Sequence, residues 1–308
     1  MGSAATSPER IAIFAPGGYD ADPQRLVQAE RHLTAYGCQV VAALSDRRYG
    51  RFSGTDEERL HWLDTVVDDP AIDIAMALRG GYGAARLLPA IDFVKMAASI
   101  RRNGKRLVGH SDFTAIPLGL LATTGAISFA GPMASYDFGG TTVDPFTSEH
   151  FWRAMREARV DVEFATPAPS GSVNGRLWGG NLAMLCSLIG TPWMPEVDGG
   201  VLFIEDINEQ PYRIERMMIQ LQQAGILDRQ QLVLCGDFSG YRVTENDNGY
   251  RLDDVFAYVG NATSTPLVTG LPFGHCPRKL TLAIGAPVQV DVVAGRCRLQ
   301  QAWDLATT

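Results

Sequence analysis

The sequence predicts an α/β protein: a doubly wound parallel sheet in the first half, followed by a smaller, β-rich α+β domain. Three observations predict it. Apolar runs without polar alternation recur through the first half, the pattern of strands buried on both faces. Helical periodicities separate those runs, giving the long crossover connections that parallel strands require. Beyond SYDFGGTTVDP the apolar runs crowd together and helices become sparse. A chain of 308 residues also exceeds what one core usually fills. The reading therefore divides it into an α/β domain over 1–144, a linker over 145–164 and a β-rich domain over 165–308.

In order, RIAIFAP reads as a strand, DPQRLVQAERHLTAYG as a helix, QVVAAL as a strand and TDEERLHWLDTVVDD as a capped helix. IDIAMAL is the next strand, followed by a single helical pattern over GAARLLPAIDFVKMAASIRRNG, then the strand KRLVG, the helix DFTAIPLGLLATTG and the strand AISFAGP. TSEHFWRAMREA reads as a helix leading into VDVEFATPAPSGSVNG, a strand that runs into a Pro/Gly/Ser segment typical of a boundary or long loop. GVLFIED, QLVLCGDF, TPLVTG, LTLAIG, PVQVDVVAG and RCRLQ are short strands of the second domain, with helices at GNLAMLCSLIG and PYRIERMMIQLQQAG. A site is expected in the cleft between the domains, at the carboxyl ends of the first domain's strands.

Composition narrows the function. The apolar fraction of 46% and charged fraction of 20% are those of an ordinary globular protein, and no apolar run approaches the ~18 residues of a membrane span. The opening MGSAATSPER is polar, without the apolar core of a signal peptide, so the cytoplasm is the expected location. A net charge of -7 with no long basic run argues against a nucleic-acid surface and for a small-molecule partner. Cys38, Cys186, Cys235, Cys276 and Cys297 lack any C-x-x-C spacing, so neither a disulfide framework nor a zinc cage is expected. No metal or other cofactor is called for.

The stretch LVGHSDFTAI carries the first chemical signal. Ser111 follows a strand and precedes a helix, which is the setting of a nucleophile elbow, although G-x-S-D is not the G-x-S-x-G of α/β-hydrolases. The same residues are also read as a helix cap by Ser111 or Asp112. A nucleophilic serine needs a base. Of five histidines, His32, His61 and His150 lie inside helical patterns, and the side chain of His110 should point away from that of its neighbour Ser111. His275, in the Gly/Pro-punctuated loop LPFGHCPRKL, is the candidate. The imidazole in turn needs a carboxylate, for which GVLFIED offers Glu205, with Asp206 as the fallback, while Glu209 is explained by the following helix's N-terminus. APGGYD and RGGYGAARLL are glycine-rich strand-to-helix loops that could present N–H groups to an anion, but neither is a nucleotide-binding motif. Arg79, Arg213 and Arg278 lie beside these motifs as candidates for a substrate carboxylate. Cys186 and Cys276 are weaker nucleophile candidates.

Taken together, RGGYGAARLLP, GHSDFTAI, LWGGNLAML, LFIEDINEQPYRIERM and LPFGHCPRKLTLAIG, in that order, resemble the LD-carboxypeptidases, a family of serine peptidases. The resemblance covers nearly the whole chain. It implies a glutamine-amidotransferase-like N-terminal domain, a β-rich C-terminal domain and a homodimer. It also implies a Ser111–Glu205–His275 triad, with an oxyanion hole formed by the backbone N–H groups of Gly81 and Asp112. The implied activity is removal of the terminal D-alanine from a murein tetrapeptide during cell-wall recycling. A branch resembling microcin C immunity proteins acts instead on peptidyl or aminoacyl nucleotides, an alternative that aromatic residues such as Trp178 keep open.

Overall fold

The computed structural model describes residues 8–306. The first half runs β1 (Arg10–Phe14), α1 (Pro23–Ala35), β2 (Gln39–Ala43), α2 (Asp56–Asp68), β3 (Ile74–Ala77), α3 (Phe93–Asn103), β4 (Arg106–Gly109), α4 (Ala115–Thr124), β5 (Ser128–Ala130) and α5 (Pro145–Glu157). The second runs β6 (Arg159–Ala165), β7 (Gly171–Asn181), α6 (Leu182–Leu188), β8 (Val201–Ile207), α7 (Pro211–Gln223), β9 (Leu232–Ser239), α8 (Leu252–Ala262), β10 (Leu267–Thr269), β11 (Leu282–Ile284), β12 (Pro287–Val293) and β13 (Arg296–Ala302).

Among the described residues two sheets form, in the orders β11-β5-β4-β3-β1-β2 and β10-β9-β8-β7-β12-β13-β6. β1 to β5 pair in parallel, and their successive residues go to opposite faces, as strand geometry requires. Ile11, Ile13, Met76 and Val108 join Leu33 of α1 and Phe151 of α5 in one core. Ala12, Phe14, Ala75 and Leu107 join Leu63 of α2 and Met96 of α3 in another. The doubly wound arrangement read from the apolar strands is therefore present. The second core continues without a break into Trp178, Phe203 and Leu234 of the other sheet. Helix α4 packs against α3, β5 and α6, and its residues Ala115 to Leu121 are all buried, as expected of a helix that is apolar all round.

Some elements depart from the sequence reading. The strand in LTLAIG, assigned to the second domain, is β11, an antiparallel edge strand of the first sheet with Leu282 opposite Ala130. An apolar tripeptide does not specify which sheet it joins. The single helix expected over 83–104 is two short 3₁₀ turns, Ala84–Arg86 and Leu88–Ala90, followed by α3, because Pro89 cannot continue a helix and Asp92 caps a new one by accepting from the Lys95 N–H. The segment SGSVNG, expected as loop, is the start of β7. This strand pairs antiparallel with β12 over its first half and in parallel with β8 over its second. Helix α8 had no counterpart in the reading. Residues 145–164, expected as a linker, form α5, which buries Phe151, Trp152 and Met155, and most of the edge strand β6.

Candidate active site

The loops after β1 and β3 leave the carboxyl edge of the first sheet at the point where strand order reverses, the crevice in which such sheets place ligands. They meet directly, since the Gly18 N–H donates to the Gly80 carbonyl at 3.0 Å. Ser111 sits beside them at the end of β4 and opens a 3₁₀ turn, Ser111–Thr114, that feeds α4. Its φ is +63°, a left-handed conformation costing a non-glycine residue about 1–3 kcal/mol and held only where surroundings enforce it. The surroundings here are specific. The Asp112 carboxylate accepts from the Gly83 and Ala84 N–H groups, each at 2.9 Å, and the Thr114 hydroxyl accepts from the Asn181 N–H at 3.1 Å. The turn is thus clamped to the β3 loop on one side and to the second sheet on the other.

From this turn a relay crosses to the second sheet. The Ser111 hydroxyl lies 2.9 Å from His275 Nε2, and His275 Nδ1 lies 2.7 Å from Glu205 Oε2. The consistent assignment has Ser111 donating to Nε2 and Nδ1–H donating to the carboxylate. Glu205 is fully buried, so its partners matter: Asn181 Nδ2 donates to Oε1 at 3.2 Å and also to Asp206 Oδ1 at 3.1 Å. Neighbouring strand residues normally point to opposite faces. Here the register between β8 and β9 shifts between Ile204 and Asp206, a bulge of the kind that re-aims side chains, and both acids reach Asn181. Asp206 also accepts from the Ala183 and Ile207 N–H groups. Burial, then repulsion from Glu205, push its carboxyl up to about 6. Asp206 therefore anchors α6, and Glu205 holds the imidazole. A serine hydroxyl in such a chain can lose its proton to the imidazole as it attacks, and the carboxylate stabilises the imidazolium that results.

Beneath His275 lies a second polar chain that sequence reasoning missed. His110, fully buried, packs edge-on against the His275 ring at 5.1 Å. Its Nδ1–H donates to the Gly131 carbonyl at 2.9 Å, and its Nε2 accepts from Lys279 Nζ at 3.1 Å. Lys279, also fully buried, pairs with Asp137 at 2.8 Å. Burial, then the charges of Lys279 and His275, hold the His110 pKa well below its usual value, so this ring stays neutral beside the imidazole that must charge. The Tyr136 hydroxyl donates to the His275 carbonyl at 3.2 Å, fixing the loop from the other side. Nothing in FGHCPRKL signals a buried lysine.

The other candidates divide clearly. The Gly80–Gly81 peptide lies against Ser111: a Cβ on Gly80 would stand 2.6 Å from Ser111 Cβ, 2.9 Å from Oγ and 3.2 Å from the Asp112 nitrogen. Accordingly, Gly80→Ala should displace the hydroxyl and lower turnover by about 10² or more, measured as initial rates with thermal unfolding as a folding control. Arg59, read only as part of a helix, is buried and donates to the Gly83 carbonyl at 2.9 Å, bracing the same loop. Arg213 is exposed and faces Glu209 at 3.4 Å, whereas Arg278 stacks on Phe146 at 4.0 Å. Burial pushes the Cys186 thiol up to about 12 and that of Cys276 up to about 11, which leaves neither a ready thiolate. Trp178 is 1% exposed and donates to Gln230 at 2.9 Å, so it offers no face to a nucleobase. His32 Nδ1 lies 2.7 Å from the Phe138 carbonyl and His150 stacks on Phe146, both away from the relay. Among the described residues no cluster of three or more His, Cys, Asp or Glu is arranged to hold a metal ion, and no helix is long and apolar enough to cross a membrane.

The chain is similar to known proteins over most of its length. Residues 11–131 match the LD-carboxypeptidase N-terminal domain and residues 174–290 the LD-carboxypeptidase C-terminal domain. A probable murein peptide carboxypeptidase of Bacillus subtilis is 31% identical over 288 residues, covering 92% of this chain and 89% of its own. The crystal structure of a muramoyltetrapeptide carboxypeptidase from Oxalobacter formigenes superposes with a TM-score of 0.90 at 42% identity, covering 96% of this chain and 99% of its own. A microcin C7 self-immunity protein of Escherichia coli is 27% identical, covering 78% of this chain and 77% of its own.

Proposed function

This chain belongs to the LD-carboxypeptidase family and is a serine carboxypeptidase, and on that premise we propose that it releases the terminal D-alanine of murein tetrapeptide through Ser111, His275 and Glu205. The observation that carries the assignment is the unbroken relay of 2.9 Å and 2.7 Å hydrogen bonds joining residues from three distant segments. The names of the B. subtilis and O. formigenes relatives support the substrate.

In the proposed reaction Ser111 Oγ bonds to the carbonyl carbon as its proton passes to His275 Nε2. Charge develops on the carbonyl oxygen, where the N–H groups of Gly81 and Asp112 are suited to receive it. Collapse breaks the C–N bond as the imidazolium returns its proton to the leaving amine, and an ester to Ser111 is left. Water then attacks the ester with His275 again accepting the proton, and the serine is regenerated. We take the enzyme to act in the cytoplasm, in peptidoglycan recycling, and as a homodimer.

Two measurements test this reading. A fluorophosphonate should form a stoichiometric adduct on Ser111 in the native protein and none in His275→Ala; a protein that merely binds peptides in the cleft would not react. Mass spectrometry of products should show loss of one alanine from murein tetrapeptide. Turnover of a peptidyl nucleotide with the tetrapeptide untouched would transfer the assignment to the microcin-immunity type of reaction.

A further inference from the structure

A carboxypeptidase must distinguish a chain end from a chain interior, and that requires a partner for the free carboxylate. We propose that Arg79 is that partner: it is the specificity residue that anchors the α-carboxylate of the departing amino acid. This rests on the reading of Ser111 and the Gly81 N–H given above.

Arg79 immediately precedes the Gly80–Gly81 peptide that lies against Ser111. Its guanidinium folds back along this loop, with Nε and Nη2 each 3.6 Å from where a Cβ on Gly81 would be. Nη1 donates to the Tyr19 carbonyl at 3.0 Å, which fixes the group between the two glycine loops. The side chain is half-buried, and among the described residues no acidic side chain pairs with it. That sets it apart from Arg213 and from Arg47, Arg59, Arg86 and Arg106, all of which face carboxylates. A half-buried guanidinium with free donors, in a protein of net charge -7, is fitted to a carboxylate from outside.

The reach is also appropriate. The terminal carboxylate lies three bonds beyond the scissile carbonyl carbon, a span of roughly 4 Å. With the carbonyl oxygen on the Gly81 N–H, a span of that length keeps the carboxylate close to the Gly80–Gly81 loop, along which the Arg79 guanidinium folds. An internal peptide bond at the same place would bring a neutral amide, leaving the guanidinium desolvated and unpaired. Exclusion of longer chains then follows from charge as well as from shape.

The test compares murein tetrapeptide with its C-terminal carboxamide, measuring kcat and KM for the native enzyme, Arg79→Gln and Arg79→Lys. The native enzyme should favour the free acid by roughly 10- to 100-fold in kcat/KM, the worth of a charged hydrogen bond. In Arg79→Gln that ratio should collapse to within about threefold, mainly through KM for the acid, and Arg79→Lys should recover part of it. The rate of fluorophosphonate labelling at Ser111, which needs no carboxylate, should change little in either variant. Equal losses on acid and amide, an unchanged ratio, or loss of labelling in both variants would overturn the proposal, as would a native enzyme indifferent to the amide. Failure of the native enzyme to label at Ser111 would instead count against the reading on which it rests.

Discussion

Ser111→Ala is expected to lower turnover of murein tetrapeptide by roughly 10⁴- to 10⁶-fold while leaving the fold intact. Alanine removes the attacking atom and nothing that braces the turn, because the bracing bonds come from the Asp112 carboxylate and the Thr114 hydroxyl. The backbone donors survive, so some catalysis over water persists. The loss should not deepen much when His275→Ala is added, since a base without its nucleophile contributes little. Single-turnover release of alanine, followed by mass spectrometry, is the measurement. Near-normal turnover in Ser111→Ala would end the assignment of this hydroxyl.

Lys279→Met is expected to be the most destabilising single change near the site, by about 3–5 kcal/mol, because it strands one partner of a buried ion pair. Asp137 would keep only the Met133 N–H at 2.7 Å, and His110 Nε2 would lose its donor. In a protein of this size the unfolding midpoint should fall by roughly 5–15 °C. The deficit should depend on pH in a definite direction. Burial already raises the Asp137 carboxyl above its usual range, with Lys279 opposing that shift. Without the lysine the acid can escape its cost by taking up a proton, so the gap from the native protein should be smaller at acid pH and widen as pH rises. Adding Asp137→Asn should restore part of the stability at neutral pH. Calorimetry across pH 5 to 8, the range over which most proteins are stable, would reveal both effects, and a gap that ignored pH would mean that Asp137 keeps its stranded charge and never takes up the proton.

The residues of the relay were legible because each sits where local pattern changes: Ser111 between strand and helix, Glu205 at the end of an apolar strand, His275 in a Gly/Pro loop. Asn181 and Lys279 were not. An asparagine ahead of a helix reads as a cap, which it is, since its Oδ1 accepts from the Met184 N–H; that its amide also links two buried acids depends on the bulge in β8. Helix α8 is not legible because its two valines and Gly260 weaken the helical signal.

By itself the sequence determined the two halves, the parallel sheet and the kinds of side chain that could do chemistry, because periodicity and burial act over neighbouring residues. Only the tertiary structure decided which of those side chains meet. The sequence separation of 164 between Ser111 and His275 carries no local record of a hydrogen bond, and the crossing of β11 into the first sheet, the left-handed turn at Ser111 and the neutral His110 under the imidazole each arise where segments far apart in the chain are packed together.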